Sequence, residues 1–136
     1  MLSVSIDHLR LFVHVLAASV WVGGQVILAG LVPRLRPFGP EAIKTAANGF
    51  AIVAWPAFVI AFVTGIWNML AVDYSNVPGW NATLGIKILL VVAAGASAAL
   101  HSTSQRRAIM AITGAAGGIL ALVILFMGIM LANPTS

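Results

Sequence analysis

Residues 108–132 read AIMAITGAAGGILALVILFMGIMLA, a stretch without a single charged side chain. A helix that crosses the ~30 Å hydrocarbon core of a bilayer needs about 20 residues of this character. Three similar stretches precede it, and we predict four spans, over residues 9–32, 50–72, 84–104 and 108–132. None of the four alternates strictly between apolar and polar residues, which favours helices over barrel strands.

The composition of the whole chain agrees with this reading. Of its 136 residues, 61% are hydrophobic and 7% are charged, whereas soluble domains have about 45–50% and 25%. Four spans leave no room for a soluble domain. The prediction is therefore an all-α, integral membrane four-helix bundle that forms one domain over residues 1–136 in a lipid bilayer. Because the chain has no cysteine, disulfides, thiolate metal sites and iron–sulfur clusters are excluded.

The positive charges orient the chain in the bilayer, and we predict no nucleic-acid partner. The net charge is +4, and five of the seven cations flank apolar runs on one side, namely Arg34, Arg36, Lys44, Arg106 and Arg107. The positive-inside rule places this side in the cytoplasm. Both termini and the loop 73–80 are then expected on the outer side of a bacterial inner membrane, with Tyr74 and Trp80 as interface anchors.

Local signals predict the helix boundaries. The proline-rich residues 33–40 should stop the first helix, and Pro40 suits the first turn of the second, which is expected to begin before the membrane. Asn81 or Thr83 is the predicted N-cap of the third helix. Residues 102–107 are read as a tight turn between the last two helices.

His14 is the first candidate for function, because it lies within an apolar helix where lipid offers no hydrogen bond. At 100° per residue, Asp7, His14, Trp21 and Gln25 lie within roughly 20° of one line. We expect this stripe to face the bundle. His8 points about 120° away from it. A hydrogen bond to a neighbouring helix is the alternative to ligand binding for His14.

A rise of about 1.5 Å per residue places a set of polar and sulfur-containing side chains in the same outer third of the membrane. Imidazole with thioether suits Cu(I), and imidazole alone suits haem iron. The predicted metal ligands are His14, His8, Met69, Met127 and Met130, and the predicted cofactor-binding residues are His14, Trp21 and Lys87. The alternatives are core filling for the methionines and snorkelling for the lysine.

Two further features lie away from that layer. His101 lies at the cytoplasmic end of the third helix, about 20 Å from the level of Lys87, and is read as interfacial. Gly114 and Gly118 form a small-xxx-small pair on the fourth helix. The pair serves either packing within the bundle or a homodimer.

Three segments together resemble a known family. They are His14-x6-Trp21-Val-Gly-Gly24, Val63-Thr-Gly-Ile66 and Thr83-Leu-Gly-Ile-Lys-Ile-Leu89. In order and spacing they resemble the membrane domain of the CopD family of copper-resistance proteins. The resemblance implies a periplasm-facing copper-handling protein with His14 as the position to carry over. Longer members have about eight spans, so the chain looks like one half that dimerisation would complete.

The same residues are also similar, more weakly, to small four-helix membrane protoporphyrinogen oxidases, which bind haem b. In that case His14 would be the axial ligand and Lys87 would steer substrate carboxylates. The cofactor is left as copper or haem b. A third hypothesis is a cofactor-free accessory subunit of a larger membrane complex. The spans contain no nucleophile–base pair and no carboxylate pair, so we name no catalytic residue and lean against an enzyme.

Overall fold

The computed structural model describes residues 3–73 and 76–134, which form four α-helices joined by short connections. These are α1 (Ile6–Leu35), α2 (Pro40–Ala71), α3 (Trp80–Thr103) and α4 (Arg107–Ala132). Each is long and apolar enough to cross a membrane, which confirms the all-α prediction and indicates a multi-pass membrane protein. Tyr74, a predicted interface anchor, lies outside the described residues.

The chain divides into two compact units, residues 1–72 and 73–136. The first hairpin is α1 packed against α2, and the second hairpin is α3 packed against α4. Within each hairpin the helices are antiparallel, since residues near the start of one helix contact residues near the end of the other. The single domain remains a prediction.

Helix α1 begins with a capping box. The Ser5 hydroxyl accepts a hydrogen bond from the backbone N–H of His8, and the Nδ1 atom of His8 accepts one from the backbone N–H of Ser5. This arrangement satisfies two of the otherwise unpaired amides of the first turn. At the other end Pro33 lies inside the helix, which ends two residues later at Leu35.

The start of α2 is as predicted. A three-residue 3-10 turn, Arg36–Phe38, follows α1, and Gly39 then adopts a φ of 90°. A positive φ strains most side chains but not glycine. The chain reverses at this glycine, and Pro40 occupies the first helical position, where its missing amide leaves no bond unmade.

The predicted N-cap of α3 is wrong. The helix begins at Trp80, and its N-cap is Gly79 with a φ of 78°. Thr83 lies inside the first turn, where both its backbone N–H and its hydroxyl donate to the carbonyl of Gly79. The Trp80 indole donates to the carbonyl of Leu131 on α4 at 3.2 Å. Lys87 therefore lies two turns inside α3.

The core of each hairpin is built from small residues. The buried positions include Ala17, Ala54 and Ala57 in the first hairpin and Ala94 and Ala121 in the second. Small side chains let helices approach closely enough for dispersion contacts, which drive helix association where water is absent. Many large aliphatic side chains point outward instead, as expected for a surface that faces lipid.

Candidate ligand-binding site

His14 on α1 is held by Thr64 on α2. The Nδ1 atom of His14 lies 3.0 Å from the Oγ1 atom of Thr64. The same hydroxyl lies 2.6 Å from the carbonyl oxygen of Ile60, one turn earlier on α2, to which it donates. A hydroxyl has one proton. Thr64 therefore accepts from the Nδ1–H of His14, so in the neutral imidazole the lone pair is on Nε2.

A glycine makes room for this imidazole. The Cε1 atom of His14 lies 3.2 Å from the point where a Cβ atom on Gly65 would be. That spacing is tighter than most real Cβ contacts, so a methyl group would push the ring away. Thr64 and Gly65 thus set the orientation and the position of the His14 ring together.

The aromatic part of the predicted stripe packs deeper in the first hairpin. Trp21 is buried, and its ring centroid lies 4.7 Å from that of Phe58 and 5.8 Å from that of Trp55. Trp21 follows His14 by two turns, about 10 Å along α1. The two side chains therefore share a face of α1 two turns apart, and the aromatic cluster is not a direct neighbour of the imidazole.

An apolar groove lies along the first hairpin. Its volume is about 320 Å³. Its walls are aliphatic residues of α1, including Val13 and Ala17, and residues of α2, including Pro56 and Ile60. Neither His14 nor Thr64 is among the residues that line this groove.

Arg10, near the start of α1, is a buried charge that the sequence did not predict. Its exposed fraction is 7%, and its Nη1 atom pairs with the Oδ1 atom of Asp7 at 3.1 Å. The buried Nε atom has no hydrogen-bond partner in the part of the chain that the structure describes. A buried donor without an acceptor costs about 1–3 kcal/mol. Arg10 precedes His14 by four residues, so both lie on the same face of α1.

The other two predicted ligands of the first hairpin do not join His14. His8 belongs to the N-terminal cap, where its Nδ1 atom lies 2.7 Å from the Ser5 hydroxyl. Met69 is half-buried and follows Thr64 by five residues, which turns it about 140° around α2. His14 and Thr64 therefore have Arg10, rather than a second predicted metal ligand, on their side of the hairpin.

In the second hairpin, Lys87 extends across to α4. Its Nζ atom lies 3.4 Å from the point where a Cβ atom on Gly128 would be. Met127, next to that glycine, is half-buried, whereas Met130 is 47% exposed. Lys87 and Met127 thus lie at one level of this hairpin, and Met130 is more accessible.

His101 lies at the end of the second hairpin that is opposite to Lys87. Its Nδ1 atom donates to the carbonyl of Met110 at 2.7 Å, and the exposed ring covers Gly114. No heavy atom lies within 4 Å of a Cβ built on Gly118. The space beside Gly114 is thus occupied by His101 within the hairpin. The homodimer remains a prediction.

The described residues, 3–73 and 76–134, contain no group of three or more His, Cys, Asp or Glu side chains that could hold a metal ion. Comparison of the chain with protein-family models, with curated proteins and with solved structures finds no match. The resemblance to the CopD family therefore rests on the three quoted segments.

Proposed function

We propose that this is a CopD-like protein of the bacterial inner membrane that binds haem b or copper through the Nε2 atom of His14. The asymmetry of the cations, with five on one side, supports a topology with both termini outside. His14 then lies in the outer half of the membrane. Such a protein handles copper or takes part in membrane redox chemistry.

The hydrogen bond from His14 to Thr64 carries the proposal. Ligating histidines usually donate their second ring N–H to a fixed acceptor, which sets the tautomer and the ring orientation. Thr64 is such an acceptor, because its own proton is committed to the carbonyl of Ile60. The imidazole is thereby prepared to offer the Nε2 lone pair to a metal or to haem iron.

The first hairpin fits haem better than it fits a bare copper ion. Haem iron can be held by one protein imidazole, and His14 on α1 provides one. A Cu(I) site with imidazole and thioether needs several soft ligands. Met69 lies on another face of α2, and Met127 and Met130 belong to the second hairpin. Copper remains the alternative metal.

The experiment is a titration of the purified protein with haem and, separately, with Cu(I). Wild type is expected to give a shifted Soret band with haem, and His14→Ala is expected to lose it. His101→Ala is the matched control, because it removes an imidazole that is also bonded through Nδ1. A wild-type protein that binds neither haem nor copper would rule the function out.

A haem-dependent porphyrinogen oxidase is the second candidate. The observation that favours it is the ammonium group of Lys87, which is half-buried across Gly128 instead of extending freely and suits an acidic substrate. Rescue of a strain that lacks this oxidation step is the test. No rescue by a protein that is expressed and carries haem would exclude the activity.

A further inference from the structure

The second hairpin has an exposed basic turn, which comprises residues 101–107 from the last turn of α3 to the first residue of α4. Its two arginines, Arg106 and Arg107, are adjacent, and both are exposed. Among residues 3–73 and 76–134, neither guanidinium makes a hydrogen bond or an ion pair. Both groups are therefore available to a ligand.

The second hairpin supplies no acid that could neutralise these two charges. The last acidic residue of the sequence is Asp73, so residues 76–134 carry Lys87, Arg106 and Arg107 but no carboxylate side chain. Arg106 is the N-cap of α4, and Arg107 is its first residue. The start of a helix is itself partly positive, which adds to the charge of both arginines. An anion from outside the hairpin would relieve this accumulation of positive charge.

The turn between α1 and α2 has its positive charges differently arranged. It carries three cations, Arg34, Arg36 and Lys44, and one acid, Glu41, so its net charge of +2 equals that of the two adjacent arginines. Arg34 donates from Nη1 to the carbonyl of Gly30 at 3.0 Å, and Glu41 lies in the first turn of α2. This turn is the natural control, because it has the same net charge without a pair of adjacent, unengaged arginines.

The apolar residues near the basic turn point to a lipid as the source of the anion. Leu100 and Ile112, which flank the turn on α3 and α4, are 56% and 69% exposed. Both helices are apolar and long enough to cross a membrane, so arginines between their ends lie at the level of the lipid headgroups. A lipid phosphate can bond to a guanidinium through two parallel hydrogen bonds, while its acyl chains lie against the exposed aliphatic side chains.

We infer that the basic turn binds the phosphate of an anionic phospholipid through Arg106 and Arg107. In a zwitterionic lipid the ammonium group offsets the charge of the phosphate, so the two arginines select a headgroup with a net negative charge. Neither His14 nor a cofactor takes part in this interaction. The inference therefore goes beyond the proposed function and does not depend on it.

The experiment measures lipid binding to the full chain in a neutral detergent. Phosphatidylglycerol and phosphatidylcholine with the same acyl chains are titrated separately, and native mass spectrometry counts the lipids bound to the intact protein. Wild type is expected to bind the first phosphatidylglycerol at least about tenfold more tightly than phosphatidylcholine. Replacing both Arg106 and Arg107 by glutamine should remove most of this preference, at about fivefold for each arginine.

Two further double variants serve as controls. Arg34→Gln with Arg36→Gln removes the same charge from the other turn and should keep the wild-type preference within about twofold. Arg106→Lys with Arg107→Lys keeps the charge without the planar fork and should keep only part of the preference. Circular dichroism and elution volume show whether each variant is folded. If the glutamine pair in the basic turn does not fold, the single variants decide, each with an expected loss of about fivefold.

Three outcomes would overturn the inference. The first is equal affinity of wild type for the two lipids. The second is an equal loss of preference in both glutamine pairs, because net charge rather than the basic turn would then select the lipid. The third is displacement of phosphatidylglycerol by glycerol phosphate at the same concentration, which would identify a site for a soluble phosphate. None of these readings involves haem or copper, so failure of the inference and failure of the proposed function are distinguishable.

Discussion

His14 and His101 are anchored in the same way and surrounded differently. Each donates its Nδ1–H across a helical hairpin, and each ring lies against a glycine of the partner helix. His14 is half-buried, bonds to a side-chain hydroxyl and has a buried arginine one turn away. His101 is exposed at the end of α3 and bonds to a backbone carbonyl. A hydrogen bond through Nδ1 is therefore not enough to identify a histidine as a metal ligand.

The glycines that lie against the two rings show how the environments of His14 and His101 differ. A Cβ on Gly65 would meet Cε1 of a half-buried ring at 3.2 Å, and a Cβ on Gly114 would meet an exposed ring at 3.0 Å. The exposed ring can swing away, because lipid headgroups or water replace its contacts. The half-buried ring has fewer alternatives, so its position is set by the packing around it.

The largest effect is expected from removing each imidazole. His14→Ala should abolish the haem spectrum, or copper binding if copper is the ligand, because it removes the imidazole that is proposed to bind the ligand. His101→Ala should leave both unchanged. An equal loss of ligand binding in both variants would show that the two histidines do not differ in their role as ligands.

The next effect is expected at the acceptor of the His14 hydrogen bond. Thr64→Val keeps the shape but removes the acceptor, and it should weaken ligand binding about 10–100-fold. Thr64→Ser keeps the hydroxyl and should stay within a few-fold of wild type. Affinity is measured by absorption titration, and similar losses in both variants would point to packing instead of hydrogen bonding.

A smaller effect is expected from replacing each of the two glycines beside the rings by alanine. Gly65→Ala should shift the Soret band and weaken binding, since the ring must move. Gly114→Ala should leave binding unchanged and be neutral or stabilising, because alanine gains up to about 1 kcal/mol of helix propensity over glycine. Thermal unfolding and absorption spectra check both, and a Gly65→Ala protein with wild-type binding would contradict the account.

The smallest effect is expected in stability. His101→Ala removes one hydrogen bond between helices, and such bonds contribute about 0.6 kcal/mol on average in a membrane protein. Reversible unfolding in mixed detergent should show a loss of that order. A loss several times larger would mean that His101 has a structural role that its exposed position does not suggest.

The helical fold could be predicted because an uncharged segment long enough to cross a bilayer can satisfy its backbone hydrogen bonds there in few ways other than as a helix. The start of α2 could be predicted as well, since proline suits only certain helix positions. The start of α3 could not, because the cap is Gly79, which acts through its backbone conformation rather than through a polar side chain.

The site was predictable only in part. The shared face of His14 and Trp21 follows from helical periodicity, whereas Asp7 of the same predicted stripe is 68% exposed and does not face the partner helix. The partner Thr64 depends on how two helices are paired. A threonine beside a glycine inside an apolar helix was the available signal for it. The burial of Arg10 was missed because charges near a chain start are usually solvated. Its spacing of four residues from His14 was the available signal.

The most direct test is nitrogen NMR of the protein labelled with ¹⁵N-histidine, before and after haem is added. The account predicts that in the ligand-free protein Nδ1 of His14 is protonated and Nε2 is not. Added haem should then change the Nε2 signal while the Nδ1 proton stays, with His101 unaffected. A ligand-free His14 protonated at Nε2, or an Nε2 signal that neither haem nor Cu(I) changes, would contradict the account.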